Sequence, residues 1–279
     1  MQAQRWIAQN ILNAVPPHDA SYAFARNRDL VGAANKHAGA RWLVKMDVRR
    51  FFESISEPQV YFVFRGLGYP ALLSFQLARI CTRLPMGGFT RSPPPHRRSL
   101  PYRPLPLGHL PQGAPTSPML ANLAVQALDV HLAVLAHQLG WVYTRYADDL
   151  TFSRIDDIRR SSAMNLITLV EHALAVFGLA PRHPKTSIAS PRARKIMLGV
   201  LVDRERPRLT RSFRNNLETH LYALTSPKIG AAAHLRNRGF ASRIGMQRHV
   251  AGLLAFAHQV DGAYAAKQYR VFNMIDWNS

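Results

Sequence analysis

Three aspartates stand where the surrounding sequence makes a carboxylate energetically costly. Two of them, Asp148 and Asp149, are adjacent and lie between two β-rich runs, 141–146 and 150–153. This pattern predicts a hairpin with a short acidic turn, in which the two neighbouring carboxylates repel each other. A divalent cation would neutralise the pair, but a solvated surface turn is also typical of aspartate. Both interpretations stay open on this pattern alone.

The third aspartate, Asp47, ends a hydrophobic run, 42–48, that predicts a mostly buried strand. A lone carboxylate there is costly to desolvate, unless Asp47 serves only to cap the segment that follows. If this strand lies beside the hairpin, Asp47, Asp148 and Asp149 form one carboxylate cluster. Two Mg²⁺ ions about 3.5–4 Å apart on such oxygens can activate a hydroxyl and stabilise a leaving oxygen. The chemistry predicted for the carboxylate cluster is phosphoryl transfer.

Hydrophobic periodicity predicts the elements that must position these residues. The predicted strands are 42–48, the hairpin 141–153, and 196–202. The helices predicted in the first part of the chain are 3–14, 59–67, 71–84 and 117–139. A further predicted helix is capped by Ser161 or Ser162 and ends at Gly178. Three more are predicted at about 210–225, 244–258 and 261–276.

The charge of the chain favours a polyanionic partner. Its 279 residues include 36 Lys and Arg against 16 Asp and Glu, a net charge of +20, which predicts nucleic acid contacts through phosphate. A membrane is not expected, because no apolar run approaches the ~18–20 residues needed to span a bilayer. We expect no signal peptide either. The single cysteine, Cys81, excludes an internal disulfide and suits a reducing, cytoplasmic location.

A proline- and arginine-rich stretch interrupts the pattern at about residues 85–110. Proline at this density blocks both helix and central strand. We expect an ordered but irregular insertion, with a mobile, solvated loop as the alternative for residues 90–104.

Several motifs in order resemble reverse transcriptases, and retron-type bacterial members in particular. The Tyr146-Ala147-Asp148-Asp149 run resembles the Y-x-D-D motif, and its extension to Ser153 resembles the retron form. The other matching motifs are Asp47 with Phe51-Phe52, the run 110–118, Pro184-Lys185-Thr186, and Leu198-Gly199, which resembles the primer-grip motif. The resemblance implies the α+β class and a right-hand polymerase fold: a palm with an antiparallel sheet plus helices, reduced fingers and a helical thumb. The chain after Arg206 is basic and predicted to be helical, which indicates a separate subdomain with a boundary near residues 203–208. The predicted division is therefore fingers and palm in residues 1–205 and the thumb in 206–279.

The resemblance also implies roles for individual residues. Asp47, Asp148 and Asp149 would hold two Mg²⁺ ions, with the carbonyl of Val48 as a further ligand. Phe52 resembles the steric gate that favours deoxynucleotides, with core packing as its alternative role, and Lys185 resembles the residue that protonates departing pyrophosphate, with a solvated lysine as the alternative.

The resemblance extends to residues that would contact nucleotide and nucleic acid. Gln112 and Gly113 resemble the loop beneath the incoming nucleotide, and Ala147 would lie near the primer end. In the thumb, the candidates for phosphate contact are Arg236, Arg238, Arg243 and Arg248, each of which is otherwise a solvated charge.

The implied activity is RNA-directed DNA synthesis on a structured non-coding RNA, with deoxynucleoside triphosphates as substrates. The family also implies anti-phage defence with an effector protein. Two runs depart from the retron pattern, 33–37 in place of N-A-x-x-H and 197–199 in place of V-T-G. The chain starts at the family's Q-R-W-like helix, here Gln4-Arg5-Trp6, so that reduced fingers are expected. A weakened polymerase that only binds structured RNA, or another bacterial reverse transcriptase class, stays open.

Overall fold

The computed structural model describes residues 1–84 and 107–277. Most of the insertion predicted at about 85–110 therefore lies outside the described residues. The chain forms two compact units: the first comprises residues 1–33 and 42–190, and the second comprises 34–41 and 191–279. The boundary predicted between residues 205 and 206 stays a prediction.

The elements largely follow the expected order and are mixed α and β. The helices are α1 (Gln2–Asn10), α2 (Leu30–Lys36), α3 (Phe51–Ser54), α4 (Glu57–Gly66), α5 (Ala71–Cys81), α6 (Ser117–Ala124), α7 (Gln126–Gln138), α8 (Arg160–Val176), α9 (Arg211–Thr225), α10 (Gly230–Arg238), α11 (Arg243–Val260) and α12 (Gly262–Asn273). The strands are β1 (Trp42–Asp47), β2 (Val142–Tyr146), β3 (Asp149–Arg154), β4 (Ser187–Ala189), β5 (Ile196–Met197), β6 (Val200–Leu201) and β7 (Arg208–Leu209).

The first unit is built on a four-stranded antiparallel sheet in the order β2-β3-β1-β4. Its central strand β1 is buried along almost its whole length, which explains its nearly unbroken hydrophobic sequence. Trp42 pairs with Arg154 at one end of the β1–β3 ladder, and Asp47 pairs with Asp149 at the other. The predicted strand 42–48 and the hairpin are thereby confirmed, and so is the α+β class with an antiparallel sheet.

The helix predicted over 117–139 is in fact two helices. α6 and α7 meet at Val125, where the backbone leaves helical geometry (φ −99°, ψ 11°), and their axes bend by 52°. No proline or glycine marks the break, so that hydrophobic spacing alone could not show it. Among the described residues, no single helix is long and apolar enough to cross a membrane, and this bent pair passes only by length and composition.

Two further local predictions are wrong. The helix α8 begins at Arg160, so Ser161 and Ser162 fall inside its first turn and do not cap it. The strand predicted over 196–202 is a pair of two-residue strands, β5 and β6, joined by Leu198 and Gly199. Both joining residues have positive φ, 49° and 85°, as a type I′ hairpin turn requires.

The second unit has its own core. Its three-stranded sheet has the order β5-β6-β7, and α9, α10, α11 and α12 follow it, one helix more than predicted. Apolar side chains of these helices pack together, including Leu217, Leu221, Met246, Val250 and Leu254. Residues after 206 are thus mainly helical, as expected for the thumb.

Candidate active site

The turn between β2 and β3 consists of Ala147 and Asp148. Ala147 has a φ of +56°, a left-handed conformation that costs a residue with a side chain about 1–2 kcal/mol. Strain of this kind persists only where the surroundings enforce it, and it is common at functional sites. The turn leaves Asp148 and Asp149 half-buried at the end of the hairpin.

The pairing of β1 with β3 brings the third aspartate to this turn. Asp47 lies directly opposite Asp149 in the ladder, where paired residues have Cβ atoms about 4.5–5.5 Å apart. The backbone N–H of Val48 donates to the carbonyl oxygen of Asp148 at 3.0 Å. The carboxylate cluster predicted from sequence therefore forms. The following helix α3 has Arg50 at its N-cap, which excludes the alternative that Asp47 is a helix cap.

The carboxylates of the cluster repel one another, and nearby lysines offset this repulsion only in part. Burial raises the pKa of Asp149 above its ordinary value, and the charges of Asp148 and Asp47 raise it further, whereas Lys185 and Lys45 oppose the shift. The ionised form of Asp149 is therefore disfavoured in this environment, so that additional positive charge would stabilise it.

Lys185 supplies part of that charge. Its Nζ lies 2.5 Å from Oδ2 of Asp47, pairing a half-exposed ammonium with a buried carboxylate. The hydrogen bond to Asp47 raises the pKa of Lys185, so that the ammonium stays protonated at neutral pH. The turn His183–Lys185 is held against β1 because the N–H of Arg182 donates to the carbonyl of Asp47 at 2.7 Å. Lys185 therefore contacts the carboxylate cluster, and its role in protonating pyrophosphate stays a prediction.

The donor set of the cluster suits a hard cation, although its present arrangement is not a finished metal site. Three carboxylates offer the oxygen ligands that Mg²⁺ prefers. Within the ranges 1–84 and 107–277, however, no group of three or more His, Cys, Asp or Glu side chains is arranged to hold a metal ion. In this arrangement the ammonium of Lys185 is the charge that pairs with Asp47.

A buried polar network behind the turn was not foreseen from the sequence. Arg145 donates to both carboxylate oxygens of Asp129, at 2.8 and 2.6 Å, and to Asn122 Oδ1 at 2.9 Å. It also donates to the carbonyl oxygen of Ala147 at 3.1 Å. Arg145 therefore holds the strained residue that precedes Asp148. The one sequence feature that could have indicated this network is an arginine inside the largely apolar run 141–146.

Comparison with known protein families decides the broader assignment. Residues 2–206 match the family model described as "Reverse transcriptase (RNA-dependent DNA polymerase)". The chain belongs to the reverse transcriptase family. The match includes every residue of the carboxylate cluster together with Lys185, and family membership agrees with the right-hand polymerase fold predicted from the motifs.

The relatives of this reverse transcriptase sequence include several retron enzymes, which confirms the predicted resemblance to the retron type. The chain is 29% identical over 233 residues to the retron Ec86 reverse transcriptase of Escherichia coli, covering 84% of this chain and 65% of that protein. It is 31% identical over 274 residues to the retron Mx162 reverse transcriptase of Myxococcus xanthus, covering 94% and 53%. The chain thus spans about half to two thirds of the length of these relatives.

Solved structures give weaker similarity. The apo telomerase of Candida tropicalis, truncated from its C-terminal domain, has a TM-score of 0.49 at 12% identity, covering 75% of this chain and 45% of that one. The foamy viral protease–reverse transcriptase, solved with double-stranded DNA, has a TM-score of 0.44 at 17% identity, covering 90% and 32%.

The residues that the reverse transcriptase motifs assign to the nucleotide lie in the same unit as the cluster. Phe52 is in the short helix α3, partly buried against the core of the unit and against the ring of Phe51. Gln112 and Gly113 are exposed in the turn before α6, and Gly113 has a φ of +86°. The N–H of Leu110 donates to the carbonyl oxygen of Ile55 at 3.0 Å, which ties this loop to the end of α3.

The arginines predicted for the thumb lie in the second unit. Arg236 and Arg238 are exposed in the last turn of α10, and Arg248 is exposed on α11. Arg243 begins α11 and is half-buried, with its guanidinium donating to the carbonyl oxygen of Trp277 at 3.3 Å. Three of the four are therefore solvent-accessible, and phosphate binding by all four stays a prediction.

Proposed function

We propose that this chain catalyses RNA-directed DNA synthesis of the retron type, by two-metal phosphoryl transfer on a structured non-coding RNA template. The observation that carries the proposal is the pairing of Asp47 with Asp149 beside Asp148, inside the region that matches the reverse transcriptase family. Burial and the charges of Asp148 and Asp47 raise the pKa of Asp149, so that this cluster is a costly arrangement for a protein that has no cation to bind.

In this proposal Asp47, Asp148 and Asp149 would hold two Mg²⁺ ions, with the carbonyl of Val48 as a further ligand. Bound there, the ions would supply the charge that activates a 3′-hydroxyl and neutralises departing pyrophosphate. Lys185 keeps its ammonium beside the carboxylates until substrate binds. It is then placed to donate its proton to the pyrophosphate, because a protonated lysine is retained by the hydrogen bond to Asp47.

The neighbouring residues would select and align the substrates. The ring of Phe52 would crowd a ribose 2′-hydroxyl and so favour deoxynucleoside triphosphates. Gln112 and Gly113 would lie beneath the incoming nucleotide, since the absence of a side chain at Gly113 permits a close approach of backbone to ligand. Ala147 would contact the primer end.

The partners follow from charge and from the relatives. A net charge of +20 favours binding of the RNA template and of the DNA product through phosphates. In the second unit Arg236, Arg238, Arg243 and Arg248 are the proposed phosphate contacts. An anti-phage role with an effector protein is proposed only as an implication of the resemblance to retron-type enzymes, and the cytoplasmic location stays a prediction.

Primer extension tests the proposal. The purified chain is given an RNA template with an annealed DNA primer, deoxynucleotides and Mg²⁺, and product length is measured. We expect extension that a chelator abolishes and that Asp148→Asn with Asp149→Asn lowers by at least about a thousandfold. Asp156→Asn is the matched control, because this exposed aspartate follows the opposite end of β3; it should leave extension unchanged. Extension that survives loss of both turn aspartates would overturn the proposal.

The same experiment separates the competing functions. Salt-sensitive binding of a structured RNA, with no incorporation at any Mg²⁺ concentration, would show a binding protein built on a polymerase fold. Extension without preference for a retron-like structured RNA over an unstructured template would instead indicate another class of bacterial reverse transcriptase. Each outcome leaves the family assignment intact.

A further inference from the structure

Phe24 is a large aromatic residue in an unusual position. Its φ is +59°, in the left-handed region that bulky residues rarely occupy, and its side chain is 53% exposed. A residue of this kind gains little from burial and costs about 1–2 kcal/mol in backbone strain. Such strain at an exposed aromatic position calls for an explanation other than folding stability.

Two hydrogen bonds hold the segment immediately before Phe24 in place. The N–H of Tyr22 donates to the carbonyl oxygen of Arg145 at 2.9 Å. The amide of Asn122 donates to the carbonyl oxygen of Ala23 at 2.8 Å. Arg145 and Asn122 are both buried, so these bonds fix the backbone immediately before Phe24. The exposed ring is therefore presented from a fixed backbone.

The ring of Phe24 is the outer member of an aromatic row, which consists of Phe24, Phe52 and Phe51. The ring centroids of Phe24 and Phe52 are 6.5 Å apart with an interplanar angle of 55°. Those of Phe52 and Phe51 are 5.6 Å apart in an edge-on arrangement. The guanidinium of Arg145 lies 5.6 Å from the centroid of Phe51. The row thus runs from the buried network behind the hairpin turn to the protein surface.

We infer that Phe24 is a positioning residue for nucleotide selection, which holds the Phe52 ring in the orientation that excludes a ribose 2′-hydroxyl. The inference rests on the proposed function, in which Phe52 faces the sugar. Phe52 is supported by Phe51 on its inner side and by Phe24 on its outer side. Without Phe24 the Phe52 ring can turn towards the space that the Phe24 ring occupies, which would make room for the extra hydroxyl.

The strain at Phe24 is consistent with this role. A glycine would adopt the same φ without cost, and a small polar side chain would suit the exposed position. The presence of phenylalanine at position 24 is explained if its ring is needed to contact Phe52. Aromatic pairs contribute about 0.5–1.5 kcal/mol beyond simple burial, which corresponds to a two- to tenfold change in a rate ratio.

The test compares incorporation of a deoxynucleotide and of its ribonucleotide by the full chain. The measured quantity is the ratio of kcat/KM for the two substrates. We expect Phe24→Ala and Phe24→Gly to lower this ratio about three- to tenfold, whereas Phe24→Tyr retains it. The glycine variant also relieves the positive φ, so its Tm should equal or exceed that of Phe24→Ala. If Phe24→Gly is at least as stable as Phe24→Ala and still has a lower kcat/KM ratio than the unsubstituted chain, the loss of selectivity is not caused by a loss of folding stability.

The control is Phe62→Ala. Phe62 is 67% exposed in the same unit and also packs edge-on against an aromatic neighbour, Tyr61, at 5.2 Å, and its loss should not alter the ratio. Combining Phe24→Ala with Phe52→Ala should lower the ratio no further than Phe52→Ala does alone, because Phe24 acts through Phe52.

Three outcomes would overturn the inference. They differ in whether they also reject Phe52 as the sugar gate or the proposed polymerase function. A native ratio in Phe24→Ala and Phe24→Gly, with a lowered ratio in Phe52→Ala, rejects the role of Phe24 and leaves the polymerase proposal intact. A native ratio in all three variants also rejects Phe52 as the sugar gate. Failure of the unsubstituted chain to incorporate any nucleotide removes the proposed function and the inference with it.

Discussion

The side chains of Arg145 and Asp129 form a two-point ion pair inside the first unit, with N–O distances of 2.8 and 2.6 Å. They are 1% and 0% exposed, respectively. The hydroxyl of Tyr143 donates to the same carboxylate at 2.8 Å. A buried pair of this kind adds little net stability, but loss of one partner leaves an uncompensated charge in the interior.

We expect Asp129→Ala to lower the free energy of unfolding by about 3–5 kcal/mol, because Arg145 would remain charged and buried without its carboxylate. Urea denaturation at pH 7 measures the change. Asp19→Ala is the control: Asp19 is 98% exposed, although it also pairs with an arginine, Arg28, at 2.6 Å, so its loss should cost about 1 kcal/mol or less. Equal effects from the two substitutions would show that the buried pair does not anchor the unit.

Asp149→Asn should stabilise the protein while abolishing activity. The pKa of Asp149 is raised above its ordinary value of 3.8 by burial and by the charges of Asp148 and Asp47. For a carboxyl with a raised folded-state pKa, stability falls as the pH rises from 3.8 through that pKa. Removing the charge should therefore raise Tm by a few degrees at pH 7 with a chelator present.

The measurement is thermal unfolding in chelator and again in Mg²⁺. Mg²⁺ should raise the Tm of the unsubstituted chain, because a ligand that binds only the folded state stabilises it, and should have little effect on Asp149→Asn. The control Asp156→Asn should change neither value, since Asp156 is exposed and pairs with Arg154 outside the cluster. A fall in Tm for Asp149→Asn in chelator would contradict the account of repulsion in the cluster.

The carboxylate cluster was predictable because each part of it leaves a local pattern. The strand before Asp47 is a hydrophobic run, and the hairpin alternates around two adjacent acids, so that only the adjacency of the two elements had to be assumed. The pairing of β1 with β3 shows that the two elements are adjacent. Lys185 was predicted from its motif, but its ion pair with Asp47 depends on the turn docking against β1, which no local pattern encodes.

The buried network and the aromatic row could not be predicted, because they join residues that are far apart in the chain. Ser21 hydrogen-bonds to Asn122 at 3.0 Å across 101 positions, and each of the two residues alone is typical of a turn or a helix surface. Phe24 has a positive φ without being glycine or asparagine, so its sequence gives no warning of a special backbone. The sequence likewise gives no sign of the break at Val125 between α6 and α7, because no proline or glycine stands there.

The second unit should lose stability in mild acid because of His220. Burial, together with the charges of His234, Arg238 and His249, lowers the pKa of His220 to about 4. Its Nδ1 lies 2.9 Å from Nε2 of His234, so that one neutral ring donates to the other. With a depressed folded-state pKa, the unfolded chain binds the proton first, and stability should fall as the pH drops from about 6.5 towards about 4.

Thermal unfolding between pH 7 and pH 4.5 measures this loss. His220→Asn cannot titrate and keeps a hydrogen-bonding group for His234, so its Tm should fall by several degrees less than that of the unsubstituted chain over this range. His137→Asn, at an exposed position of α7 in the first unit, is the control and should follow the unsubstituted chain. Identical pH profiles for all three proteins would exclude His220 as the source.

The turn between β5 and β6 offers a test of stability against function. Leu198 has a φ of +49°, and asparagine followed by glycine is the preferred pair for a turn of this type. Leu198→Asn should therefore stabilise the protein by about 1 kcal/mol, as urea denaturation would measure. The family resemblance assigns Leu198-Gly199 to the primer grip, so primer extension should nevertheless decline. Gly199 has a φ of +85°, which alanine adopts only with strain. Gly199→Ala should therefore lower both the free energy of unfolding and primer extension. If Leu198→Asn raised stability and left extension unchanged, the leucine would have no role in holding the primer.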